Sequence, residues 1–208
     1  MDRQGHYRTI GRGERAYRSF VPTPLQDIHL EIDEEMQTLL AQAHDRLKNR
    51  NLSDIDALQK EEVENSVNLV YGEKKYPGEM RTSPIWLGTK EDTLATAPFI
   101  PPVYEDMAQA IADLENYIHY EEQTDALIMA ALIHYQFEMI HPFIDGNGRI
   151  GRLLTLLFLM DRNVIQQPVL SLSKKLMSSS FKYFIGIASV EVYGAYEKWV
   201  KYFLQQLH

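Results

Sequence analysis

Apolar residues recur along the chain at different periods, and the changes of period mark its elements. From about Glu31 to Leu47, Ile32, Met36, Leu39, Leu40 and Ala43 share one face at helical spacing, which predicts an amphipathic helix. Asn49-Arg50-Asn51 ends it, and Ser53 is placed to cap a second helix running to about Gly72. Val103–Tyr120 follows a double proline and reads as a helix. Asp125–Ile140 is apolar on all sides, which predicts a buried helix, and a second apolar helix runs from Arg149 to about Asp161. Further helices are expected over roughly 171–179, 181–189 and 194–207, where the aromatic stripe Tyr193, Tyr196, Trp199 and Phe203 reads as core.

Two stretches break this pattern. Residues 1–20 carry arginines at 3, 8, 12, 15 and 18 and little apolar periodicity, so they read as a mobile or loosely docked arm. Val21-Pro22-Thr23-Pro24-Leu25 continues extended, because proline disfavours helix in the residue before it. Between 76 and 102, the short apolar runs Ile85-Trp86-Leu87 and Phe99-Ile100 flank a polar tip, Thr89–Thr93, which predicts a β-hairpin flap or an ordered loop. The expected fold class is therefore all-α, a helical bundle with one short β-hairpin flap. Residues 1–50 would form an arm and first helix, and 51–208 the core domain.

Composition narrows the functions. With 208 residues the chain is long enough to bury a substantial core, and no repeat divides it. The absence of Cys excludes disulfides, thiolate metal sites and cysteine nucleophiles. A net charge of −8 argues against binding nucleic acid or an anionic membrane. The N-terminus lacks an apolar signal core, and the longest apolar run, Leu153–Met160, is too short to span a bilayer, so a cytoplasmic location is expected.

The chemistry concentrates in His141-Pro142-Phe143-Ile144-Asp145-Gly146-Asn147-Gly148-Arg149-Ile150-Gly151-Arg152, between the two most apolar helices. Polar groups at such a depth cost free energy unless something pairs with them. Gly146 and Gly148 permit close backbone approach, and the loop leads into a helix N-terminus, whose N–H groups and dipole favour an anion. Arg149 and Arg152 share a helix face there, on the wrong end of the dipole for cations unless a polyphosphate lies opposite. Asp145 would be repelled by such a ligand without a divalent cation between them, and Mg²⁺ with few protein ligands suits it. His141 is the side chain in this stretch able to act as a base near neutral pH. The plainer alternative is a helix–loop–helix turn with a capping Asp and surface arginines. Gly146–Gly151 also satisfies GxGxxG, but it follows a helix, so a dinucleotide-binding βαβ unit is not indicated.

The same stretch resembles the Fic-domain motif HPFx(D/E)GNGRxxR at every fixed position. Tyr76–Thr82 and Trp86-Leu87-Gly88 are similar to the family's flap start, Phe99–Pro102 to its flap end, and Tyr17–Leu25 to its N-terminal segment. The resemblance implies a Fic-type bundle and a protein adenylyltransferase, which moves AMP from ATP to a Ser, Thr or Tyr hydroxyl of a target protein. By it, His141 takes the hydroxyl proton, Asp145 holds Mg²⁺, and Asn147 contacts the phosphate chain. Gly146 and Gly148 form the anion cradle, and Arg149 and Arg152 bind the β and γ phosphates. The flap near residues 83–99 would hold the target. Tyr183 matches one tyrosine of a pair near the adenine pocket, and ordinary core is an equal reading for it; Ser180 departs from the family's polar residue at that edge. His134, with Glu138 between it and His141, reads as a satisfied core histidine in preference to a metal ligand. The family's inhibitory string (S/T)xxxE(G/N) finds only Lys60–Asn65, with Lys where Ser or Thr belongs. The chain would then be constitutively active, restrained by a separate inhibitory protein, or restrained through homo-oligomerisation, with Arg152 open to the γ-phosphate and Glu64 as the acidic residue to check. A nucleotide-binding remnant without catalysis, or transfer of another nucleotide or phosphate group, stands as the alternative.

Overall fold

The most apolar segment of the sequence is the centre of the computed structural model, which describes residues 3–48, 78–166, 172–176 and 180–207. In chain order the elements are strands β1 (Gly5–Ile10) and β2 (Tyr17–Pro22), then helices α1 (Glu34–Lys48), α2 (Tyr104–Tyr120) and α3 (Ala126–Ile140). They are followed by α4 (Asn147–Asp161), α5 (Leu172–Leu176), α6 (Ser180–Tyr193) and α7 (Tyr196–Gln206). The protein is mostly helical with a small two-stranded antiparallel sheet. No helix among the described residues is long and apolar enough to cross a membrane.

Asp125 starts α3 by accepting a hydrogen bond from the Leu127 N–H at 2.8 Å, the usual N-cap arrangement. Every residue of α3 except Ala126 and Glu138 is buried. That is possible because the helix is walled on several sides, by α2, α4, α7 and β2. Its low amphipathicity in sequence is the signature of this position. Trp199 of α7 is fully buried and donates its indole N–H to the Ala131 carbonyl at 2.7 Å. Tyr196, Val200, Phe203 and Leu204 complete the inward face of α7. Tyr193 does not belong to that stripe. It ends α6, Gly194 (φ +63) turns the chain, and Tyr193 is left 81% exposed. Ile32 likewise falls outside α1, because Asp33 accepts from the Met36 N–H and the helix begins one residue later.

The N-terminal arm, expected to be mobile or loosely docked, is docked through a paired hairpin. β1 and β2 pair from Gly5↔Pro22 to Ile10↔Tyr17. Phe20 is fully buried, and Ser19 Oγ donates to the Pro101 carbonyl and accepts from the Val103 N–H. Three of the five arginines that gave the segment its unstructured look, Arg3, Arg8 and Arg18, have partners. Arg8 meets Asp106 of α2 at 2.6 and 2.8 Å, Arg3 pairs with Glu197 of α7, and Arg18 lies over the Tyr7 ring at 4.3 Å. The strand pairing thus sits in the arm. The described part of the flap holds one isolated bridge, Leu87↔Phe99, with turns at Thr89–Asp92 and Thr93–Thr96. It is an ordered loop more than a hairpin, pinned where Asp92 accepts from the Thr89 N–H at 2.6 Å. The helix expected over 53–72, and Lys60–Asn65 within it, lie outside the described residues.

Candidate active site

The loop that joins α3 to α4 is built from backbone constraints that the sequence supplies locally. His141 closes α3 in the left-handed conformation, φ 49° and ψ 59°, with its N–H on the Phe137 carbonyl at 3.0 Å. A residue with a Cβ pays on the order of 1 kcal/mol there, so the surroundings must hold it. Its ring Nδ1 lies 3.1 Å from the Glu138 carbonyl. A carbonyl only accepts, so Nδ1 carries the hydrogen and Nε2 keeps the lone pair. Burial lowers the His141 pKa and the Arg81 cation lowers it further, while the Glu138 carbonyl opposes both. The ring is therefore neutral near pH 7, with Nε2 as the acceptor, the state required of a general base.

Asn147 clamps the loop. Its Oδ1 accepts from the Phe143 N–H at 2.8 Å and its Nδ2 donates to the Phe143 carbonyl at 2.7 Å. The side chain is 2% exposed and fully engaged in that closure. Gly146, φ +85°, is the N-cap of α4, and no side chain caps the helix there. Only glycine enters this conformation without strain, and the first turn of a helix presents N–H groups that have no partner within the helix itself. Arg149 stands half-exposed one turn from Asp145, with 3.8 Å between their charged atoms. Arg152 lies back along the same helix, and a Cβ built on Gly148 would meet its Nη1 at 3.1 Å. His141, Asp145, Gly146, Gly148, Arg149 and Arg152 therefore occupy one short loop and the first turn and a half of α4.

Tyr183 lies behind the loop, near enough to Glu138 and Arg152 for their charges to act on its hydroxyl. It is 3% exposed, packed edge-on to Trp199, with its hydroxyl 3.1 Å from His134 Nε2. His134 is fully buried between Tyr183 and Thr155, whose own hydroxyl hydrogen goes to the Gly151 carbonyl at 2.8 Å. Thr155 thus accepts from His134 Nδ1, and Nε2 accepts from Tyr183. Burial and the Arg152 charge take the His134 pKa down to about 3, so it is a neutral core residue, as the sequence indicated. No group of three or more His, Cys, Asp or Glu able to hold a metal ion occurs among the described residues.

The Fic/DOC family profile matches residues 39–159, more than half of the chain. The chain belongs to the Fic/DOC family. Relatives include a protein of Aquifex aeolicus named as a probable protein adenylyltransferase, 35% identical over 69 residues, 33% of this chain and 22% of that one. Protein adenylyltransferases of Caenorhabditis briggsae and Drosophila grimshawi are 33% and 35% identical over 85 residues. Each of those matches covers 40% of this chain and 15–16% of the relative. The matched segments thus span less than a quarter of these relatives' lengths. A Fic family protein from Desulfovibrio desulfuricans shares the fold, with a TM-score of 0.57 and 18% identity over 88% of this chain and 54% of that one.

Two residues beside the loop escaped the sequence reading as parts of the site. Arg81 is 1% exposed and reaches the His141 carbonyl at 2.8 Å. Its signal was faint: a lone basic residue after the Pro77-Gly78 turn. Glu138 is the one charged residue of α3, and burial raises its pKa to about 7 against the pull of Arg152. Its signal was plain, a single carboxylate in an apolar run one turn before the base.

Proposed function

We propose that the protein is an adenylyltransferase that moves AMP from ATP to a Ser, Thr or Tyr hydroxyl of a target protein. The observation that carries this reading is a neutral histidine with Nε2 as its acceptor, joined by one short loop to a helix N-terminus that has glycine at its N-cap and bears two arginines. In the reaction the target oxygen attacks the α-phosphorus, its proton passes to His141 Nε2, and the bond to the β-phosphate oxygen breaks to release pyrophosphate. Catalysis of this kind rests on positioning and charge neutralisation. The first-turn N–H groups of α4 would hold the phosphate chain, with Arg149 and Arg152 on its β and γ phosphates. Asn147 serves by fixing the loop, and Tyr183 by backing the wall behind it.

Asp145 is 70% exposed and stands beside the cradle without a second carboxylate of a metal cluster among the described residues. That donor set fits a cation completed by phosphate oxygens and water, and it would hold Mg²⁺ arriving with ATP. Bound there, Mg²⁺ would offset negative charge on the phosphates. The flap near residues 83–99 would hold an extended segment of the target by main-chain pairing, and restraint would come from a separate protein or from self-association.

Incubation with ATP labelled at the α-phosphate, Mg²⁺ and candidate targets tests the reading. Covalent label that depends on His141 supports it. Reversible nucleotide binding without label would replace it with a non-catalytic nucleotide-binding role, and label from a γ-phosphate with phosphoryl transfer.

A further inference from the structure

A buried cation normally faces a carboxylate. Arg81 is 1% exposed, yet its guanidinium meets only backbone carbonyls among the described residues. Nε donates to His141 O at 2.8 Å, and Nη2 donates to Pro102 O at 2.7 Å and to Ile140 O at 3.2 Å. Nη1 reaches Ser83 O at 3.5 Å. The Arg81 backbone N–H donates to Pro142 O at 2.9 Å. One residue therefore takes three consecutive carbonyls, 140, 141 and 142, at the point where α3 ends and the backbone turns left-handed. Those are carbonyls that a helix terminus leaves without partners, at the negative end of its dipole. The same guanidinium holds Ser83 and Pro102, the two ends of the flap.

We infer that Arg81 is a positioning residue that holds His141 in its left-handed backbone conformation and ties both ends of the flap to it. The inference rests on the function proposed above, since it is the docked target hydroxyl that His141 must meet. A segment lying along the flap and the imidazole that serves it then share one rigid frame. A planar fork with five donors can span carbonyls from three directions, whereas an ammonium on a flexible stem cannot hold that spread. The charged and titratable groups facing the imidazole and its clamp are Arg81 itself from the flap and, behind Arg81, Tyr17 of β2; α3 contributes the Glu138 carbonyl. The Arg81 charge lowers the His141 pKa, so its removal raises it.

The test compares Arg81→Lys and Arg81→Ala in the full chain with the wild type. It reads thermal melts, ATP affinity, transfer rate at saturating ATP, and the His141 imidazole resonances through a pH titration. We expect ATP affinity within about threefold, because the cradle lies in α4. Transfer should fall about a hundredfold, the order expected for misplacing a reacting group by about 1 Å. His141 should titrate at higher pH in Arg81→Ala, which removes the charge, with partial recovery in millimolar guanidinium, and its imidazole resonances should shift in Arg81→Lys, which keeps the charge but loses the fork. Unchanged His141 resonances in Arg81→Lys would overturn the inference. So would parallel loss of folding, ATP binding and transfer in both variants, the result a purely structural cation predicts. A wild-type chain that transfers nothing overturns the adenylyltransferase reading instead, and the His141 titration then judges Arg81 alone.

Discussion

At the residue scale the loop's ionisable groups have separate tasks, and each is testable by itself. His141→Ala removes the acceptor Nε2 but leaves the cradle on α4, so transfer should fall by on the order of 10²–10⁴ while ATP affinity changes by a few-fold at most. Parallel label-incorporation and binding assays check this; a labelling rate equal to wild type would remove His141 from the mechanism. Asp145 separates metal binding from capping. Asp145→Glu should retain part of the activity and Asp145→Asn none, read by transfer assays over a Mg²⁺ titration. The reverse order would mean that Asp145 acts through the backbone of the loop. Glu138 carries a pH signature. Its folded pKa is raised to about 7 by burial, against about 4.3 for an unfolded Glu. The folded chain therefore binds a proton that the unfolded chain has released between those values, so stability falls as pH rises from about 4.5 to about 7. Glu138→Gln should be close to neutral in a melt at pH 4.5 and stabilising by on the order of 2 kcal/mol at pH 8. An offset that does not change with pH would show that Glu138 has the same pKa in the folded and unfolded chains and that burial does not raise it.

At the scale of elements, the site depends on how closely α4 lies on α3. A Cβ on Gly151 would meet Glu138 Oε1 at 2.7 Å and the Phe137 ring at 3.0 Å. The carboxylate is the end of a flexible side chain and can shift, but the Phe137 ring sits on a helix walled in by its neighbours. Gly151→Ala should therefore cost about 1–3 kcal/mol of overpacking, read as a fall in Tm of roughly 2–10 °C for a chain of this size. Because it tilts the helix that carries Arg149 and Arg152, ATP affinity should weaken with it; a melt and a binding isotherm measured together check the coupling. The left-handed turn at His141 is the second joint. Its carbonyl and both neighbouring carbonyls are held by Arg81 from the flap, so the element that presents the base is braced by one far away in sequence.

At the scale of the whole molecule, the N-terminal hairpin is part of the body. Phe20 fills a fully buried place, Ser19 bridges Pro101 and Val103, and Phe20 N–H reaches the Ile100 carbonyl at 2.9 Å. Those contacts all fall where the flap ends and α2 begins. Phe20→Ala should cost about 3–5 kcal/mol, and hydrogen exchange should show the β2 amides protected along with the core of α3. Fast exchange across β2 in the native protein would restore the picture of a loose arm.

The sequence by itself determined the helical body and the position of the site. Apolar periodicity reports burial directly, and the loop's chemistry is contiguous, so 141–152 could be read in one line. The boundaries of α3 and α4 follow from Asp125 and Gly146, local capping residues whose effect does not depend on the rest of the chain. What only the tertiary structure decided are features made by residues far apart. The arginine-rich arm became a docked hairpin because Asp106 and Glu197, on α2 and α7, supply its countercharges. Tyr193 left the aromatic stripe because the preceding helix runs on to it and the turn at Gly194 sets it outside α7. Arg81, sixty residues from His141, shows no periodicity and no motif chemistry of its own. Its place is set by three carbonyls that exist as a cluster only once α3 ends and the flap closes over it.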